Sequence, residues 1–195
     1  MGVPMSADNP WKTLSSKVVY RNPWISVRED QVMRPDGSPG IYGVVETKVA
    51  TGVVALADDS QVWLVGQYRY PLQEYSWEII EGGAEHGEDP FVAIQRELEE
   101  EAGLRAAEWN QLGDEFHLSN CFSSERGMLY LARGLTAVPS RPDCTEVLQL
   151  KCVPMGQALS MVDSGEIKDS MSIVGLLRAE RFLKGNATLP TRRLR

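Results

Sequence analysis

Arg96-Glu97-Leu98-Glu99-Glu100-Glu101-Ala102-Gly103 packs four glutamates into five residues. On a helix that turns about 100° per residue, Glu97, Glu100 and Glu101 fall on one arc roughly 100° wide. Glu99 points beyond the far side of the apolar stripe. The three clustered carboxylates are i, i+3 and i+4 neighbours, close enough to share one cation. An acidic run is ordinarily a solvated face. Here, however, Glu97 and Glu101 repel at i, i+4, and the cluster occupies the C-terminal half of the helix, where the macrodipole disfavours anions. A bound cation would offset both penalties. Oxygen donors without histidine or cysteine point to a hard ion, magnesium or manganese, rather than zinc. The two histidines, His86 and His117, read as surface or structural residues.

The element that must carry this cluster is a helix over residues 90–102. Asp89 suits its N-cap, Pro90 its first position and Gly103 its left-handed stop. Phe91, Ile94, Leu98 and Ala102 form its apolar stripe. Upstream, 17–20, 24–32 and 41–48 read as strands, split by Arg21-Asn22-Pro23 and by the turn at 34–40, so that 24–32 and 41–48 make a hairpin. A second hairpin joins 53–57 to 62–68 across Asp58-Asp59-Ser60. Residues 69–88, with Gly82-Gly83 and Gly87, read mainly as loop. Strands are expected at 127–132 and 147–153, and helices at 155–162 and 170–183. Mixed strands with few helices give an α+β class, an α/β/α sandwich.

The whole chain sets outer bounds. With 195 residues and 43% hydrophobic composition, it can bury a sizeable core. A net charge of −7 argues against a protein that coats nucleic acid or an anionic membrane. Cys121, Cys144 and Cys152 are odd in number and lack CxxC spacing, which suits reduced thiols in a cytoplasmic protein. No apolar run approaches a membrane span. Residues 1–14 read as a flexible leader, and 185–195, ending in Arg192-Arg193-Leu194-Arg195, as a solvated, frayed basic tail.

Gly82, Glu88 seven positions before Gln95, and Arg96 to Leu104 together match a complete Nudix box. The chain thus resembles the Nudix hydrolases, which implies the Nudix α/β/α sandwich and metal-dependent hydrolysis of a nucleoside diphosphate linked to another moiety. By that resemblance Glu97, Glu100 and Glu101 are metal ligands, with Glu100 and Glu101 counted as catalytic, and the backbone carbonyl of Glu81 is a further ligand. Magnesium is the implied ion, with manganese possible. Arg96 is implied to orient the glutamates and Glu88 to organise the loop.

Outside the box, Gly66-Gln67-Tyr68-Arg69-Tyr70-Pro71, Trp77-Glu78-Ile79, Phe122-Ser123-Ser124-Glu125, Ala132-Arg133-Gly134-Leu135 and Val153-Pro154 are similar to the ADP-ribose pyrophosphatase branch. That branch implies a substrate-phosphate contact by Arg69 and a base sandwich by Trp24 and Tyr42. It also implies hairpins exchanged between the subunits of a homodimer. The corresponding domains are 15–48, a hairpin extension for dimerisation and substrate clamping, and 49–184, the hydrolase domain. The branch further implies a catalytic glutamate in the loop after the second long strand, for which Glu146 is the first choice and Asp143 the second. Ile80-Glu81 and Asn120 depart from the branch's usual Pro-Ala and proline. The expected reaction is hydrolysis of a nucleoside diphosphate sugar, ADP-ribose first, to AMP and ribose 5-phosphate. GDP-mannose, NADH or another dinucleotide remain alternatives, as does a non-catalytic nucleotide sensor.

Overall fold

The computed structural model describes residues 8–139, 147–185 and 193–194. They fall into two compact units, Met1–Lys48 with Ser119–Glu125, and Val49–Leu118 with Arg126–Arg195.

In the first unit, β1 (Lys12–Arg21), β2 (Ile25–Met33) and β3 (Pro39–Thr47) form an antiparallel sheet in sequential order. Asn22 makes the first turn: its Oδ1 accepts from the backbone N–H groups of Trp24 and Ile25 at 2.9 and 2.8 Å. Asp36 and Gly37 make the second, Gly37 with φ 84°, a left-handed position that glycine takes without strain. β1 starts at Lys12, five residues earlier than expected and within the expected leader. Lys12 and Thr13 find partners in Met33 and Val32, and this pairing carries the strand through the polar Ser15-Ser16. The segment 119–125 is tied to β3, where Val45 donates to the Phe122 carbonyl at 2.8 Å and Ser124 donates to the Val45 carbonyl at 2.9 Å.

The second unit runs β4 (Ala50–Leu56), β5 (Gln61–Arg69), β6 (Glu74–Glu78), β7 (Ile80–Gly83), α1 (Pro90–Ala102), β8 (Leu104–Gln111), β9 (Phe116–His117), β10 (Arg126–Ala137), β11 (Gln149–Pro154), α2 (Met155–Asp163), α3 (Ser170–Leu183) and β12 (Arg193–Leu194). Its mixed sheet has the order β11-β5-β4-β10-β8-β12, with β6 on β5, β7 on β4 and β9 on β10. β4 and β10 are parallel. Because neighbouring side chains on a strand face opposite ways, the central strands β4, β5 and β10 each feed two cores. Val53, Val65, Ile80 and Tyr130 pack with Ile94 and Leu98 of α1. Val54, Leu64, Ile79 and Leu129 pack with Ala158, Met161, Met171 and Leu176 of α2 and α3. This is the expected α+β, α/β/α sandwich.

Helix 90–102 lies where its caps and periodicity put it, and helix 170–183 has the expected bounds. Residues 69–88 do not form a loop. β6 and β7 lie there because β5 and β4 supply their hydrogen-bond partners, Val65 to Glu78 and Gly52 to Glu81 among them. β8 and β9 were not anticipated at all. Arg193 and Leu194, expected to fray, pair with Asn110 and Trp109 on the β8 edge. Among the described residues, no helix is long and apolar enough to cross a membrane.

Candidate active site

α1 sets the geometry of the site. The Asp89 carboxylate accepts from the Phe91 N–H at 2.8 Å, and Gly103 (φ 62°, ψ 38°) returns its N–H to the Glu99 and Leu98 carbonyls. Ile94 and Leu98 are fully buried against the sheet, which fixes the helix's rotation and hence the direction of its polar arc.

On that arc the organising group is Arg96. Its Nη1 donates to Glu97 at 2.8 Å and to Glu100 at 3.0 Å, and Nε and Nη2 both reach Glu88 at 3.4 Å. Desolvation works against the guanidinium charge, but Glu88, Glu97 and Glu100 outweigh it and raise the Arg96 pKa. Glu88 also accepts from the Glu85 N–H at 2.7 Å, which closes the loop before the helix. Glu97 lies directly on β7: a Cβ added at Gly82 would sit 2.2 Å from its carboxyl carbon, so only glycine lets this glutamate rest on the strand. Gly82 is therefore a strand residue under the cluster rather than a loop residue. Glu101 is buried, whereas Glu100 is half-buried, its side chain 41% exposed. Glu99 pairs with Arg105 on the other side, at 2.7 and 2.9 Å.

The donors are all carboxylate oxygens, the chemistry a hard divalent cation requires. As they stand, Glu97 and Glu100 are held by the Arg96 guanidinium, itself a cation. Among the described residues, no set of three His, Cys, Asp or Glu side chains is arranged to hold an ion.

The Glu81 carboxyl extends toward α3, where it accepts from the Ser172 hydroxyl at 2.9 Å. Burial, and then the facing Asp169 and Glu78, push this carboxyl well above the usual carboxylate range. Ser172 is buried and in turn accepts the Ile79 N–H at 3.0 Å. Sequence reading had assigned no role to the Glu81 side chain or to Ser172. An ionisable residue inside a run of apolar strand residues was the available signal.

Arg69 closes β5. Its guanidinium grips Glu78 of β6, with Nε at 2.9 and 3.1 Å from the two carboxylate oxygens and Nη2 also bonded to Oε2. Glu78 is only 2% exposed. Val65 of the same strand packs in the α1 core, so by alternation Gln67 and Arg69 belong to the sheet face that α1 covers.

The remaining candidates belong to the first unit. Trp24 stands in the β1–β2 turn, 70% exposed. Tyr42 is half-buried on β3, donates from its hydroxyl to the Cys121 carbonyl at 2.7 Å, and meets Trp11 edge-on at 5.3 Å. Tyr42 pairs with Asp30, and Thr47 with Ile25. Five residues of strand thus separate the two levels, about 17 Å. A stacked base needs rings roughly 7 Å apart, so Trp24 and Tyr42 of one chain do not form a sandwich. Glu146 and Asp143 lie outside the described residues, as does Cys144. Cys121 and Cys152 are free thiols.

Comparison with known proteins agrees with this arrangement. Residues 11–45 match a model described as nucleoside diphosphate sugar hydrolase N-terminal domain, and residues 46–170 match the NUDIX domain. The chain is 33% identical to an ADP-ribose pyrophosphatase of Mycobacterium tuberculosis (strain ATCC 25618 / H37Rv), over 93% of this chain and 88% of that protein. It is 29% identical to an ADP-ribose pyrophosphatase of Bacillus subtilis (strain 168), over 82% and 86%. A methanol dehydrogenase activator of Bacillus methanolicus is 30% identical over 89% and 95%. A solved ADP compounds hydrolase shares the fold, with TM-score 0.80, 19% identity, and coverage of 95% of this chain and 100% of the other. With the signature helix capped, rotated by its core contacts and seated on Gly82, and with the NUDIX model spanning most of the chain, this protein belongs to the Nudix family and is a Nudix hydrolase.

Proposed function

We propose that this enzyme hydrolyses the pyrophosphate bond of a nucleoside diphosphate sugar, ADP-ribose first, releasing AMP and ribose 5-phosphate. The observation that carries this reading is the α1 arc: Glu97 on Gly82, with Glu100 and Glu101 beside it, in a chain similar over most of its length to two ADP-ribose pyrophosphatases.

The donor set suits a divalent cation, magnesium first and manganese second, held by Glu97, Glu100 and Glu101 with the Glu81 backbone carbonyl. Bound there, the ion supplies positive charge to the pyrophosphate and lowers the pKa of water. Arg96 holds Glu97 and Glu100 together and oriented. Arg69 binds a substrate phosphate, and Glu146 removes the proton of the attacking water, with Asp143 as the second choice. Free thiols at Cys121 and Cys152 support a cytoplasmic location.

Trp24 and Tyr42 sandwich the base as a pair drawn from two copies of the chain, which makes the enzyme a homodimer. The spacing along one hairpin supports this, as does β1, whose Leu14, Val18, Val19 and Tyr20 are all exposed. Mixing Trp24→Ala with Tyr42→Ala, each impaired alone, should recover about a quarter of wild-type sites. Half of randomly reassorted dimers are mixed, and each of these has one intact site. No recovery on mixing would exclude the shared sandwich.

A panel of nucleotide sugars assayed with magnesium, with products identified, tests the substrate. ADP-ribose turned over faster than GDP-mannose and NADH, giving AMP, is the expected result. Preference for either of the others would replace the substrate but keep the reaction.

A further inference from the structure

We infer that Glu78 is the positioning residue for Arg69, holding one edge of the guanidinium so that the other is presented ready-made to substrate phosphate. This rests on the phosphate contact proposed for Arg69. Glu78 lies on β6, the strand paired with β5, and its carboxylate is almost wholly buried. It engages Nε and Nη2 of Arg69 together, with Gln67 donating to the same carboxylate from 3.4 Å. A guanidinium is a rigid planar fork with five donors. With the Nε–Nη2 edge taken, the Nη1–Nη2 edge remains, and it matches a pair of phosphate oxygens.

Geometry decides between this role and a merely structural ion pair. A buried pair that exists only for stability consumes its donors on both sides. Here the carboxylate is inside while the arginine side chain is 38% exposed. The partner is buried, and among the described residues Nη1 of Arg69 makes no hydrogen bond. An unrestrained arginine would have to give up rotamer freedom on each binding event, whereas one anchored at Nε has already done so.

The test uses the full-length enzyme with ADP-ribose and magnesium. Arg69→Ala should raise KM about a hundredfold and Glu78→Gln about tenfold, with kcat changed less than about threefold by the latter. The double variant should match Arg69→Ala alone, because Glu78 acts through Arg69. Arg69→Lys keeps a cation beside Glu78, and so preserves the fold, but has no second edge; its KM should rise about tenfold as well. Wild-type KM in Glu78→Gln, with a lowered melting temperature only, would reduce the pair to a structural one and overturn the proposal. Multiplicative effects in the double variant would also overturn it, as would wild-type KM in Arg69→Lys should Glu78→Gln fail to fold. Wild-type KM in Arg69→Ala is a different failure, removing the phosphate contact itself.

Discussion

α1 and the N-terminal hairpin sheet carry the two halves of the proposed chemistry, and they are built on opposite principles. α1 is anchored by its own sequence: caps at Asp89 and Gly103 and a stripe of Ile94 and Leu98 sunk into a core shared with five strands. The hairpin unit has almost no interior. Asp30 and Val32 are buried, β1 is exposed along its length, and cohesion comes from backbone pairing, the Arg28–Asp30 and Arg28–Glu46 ion pairs and the 119–125 segment. Groups that meet reacting atoms must hold position to a fraction of an ångström, and a packed core supplies that. Aromatic groups that grip a flat base tolerate more play, and a sheet with an open face can be completed by a second copy.

The comparison breaks most sharply at the acidic arc. Glu101→Gln or Glu100→Gln should lower kcat by at least about a hundredfold, a few kcal/mol in barrier, while leaving the melting temperature close to wild type. Glu99→Gln should be mild, because its carboxylate is committed to Arg105. Excess chelator should abolish wild-type activity and divalent cation restore it; full hydrolysis in chelator would refute metal dependence.

Effects in the hairpin unit should be smaller and of another kind. Trp24→Ala should raise KM about tenfold with kcat almost unchanged, since stacking on a remote base serves ground and transition states alike. Equal affinity of wild type and variant for AMP, measured calorimetrically, would rule out the clamp. At the proton-transfer step Glu146→Gln should reduce kcat about tenfold, some 1.4 kcal/mol, with metal and substrate affinity retained. An unaltered pH–rate profile would remove Glu146 from the mechanism.

Stability changes come next. Asp89→Ala should cost about 1 kcal/mol in a denaturant titration, because the Phe91 N–H loses its acceptor. An unchanged midpoint would show that the cap contributes nothing. The smallest effect concerns Glu99, whose pKa is lowered by its hydrogen bonds to Arg105. Pairing that depresses a carboxylate pKa stabilises the fold above the unfolded value, about 4.3, and is lost as pH falls through the lower folded value. Glu99→Gln should therefore remove a slight loss of stability below about pH 4, and identical acid transitions would show that this exposed pair adds nothing measurable.

Two groups of residues show how far the sequence reaches. Helix α1, from cap to stop, and its arc of three glutamates were legible from residues 89–103 alone. Helical hydrogen bonds join residues four apart, caps act within one turn, and the direction of each side chain follows from 3.6 residues per turn. The span of α3, 170–183, was also as expected. Strands β6, β7 and β8 were not, because a strand's partners lie elsewhere in the chain. Glu74–Glu78 carries little alternation of its own and is ordered by β5. For the same reason only the folded chain could show that Arg69 closes on Glu78 and that Glu81 turns its carboxyl to Ser172. It also put Trp24 and Tyr42 too far apart along one hairpin to hold a base together, since that distance is set by strand register and not by residue type.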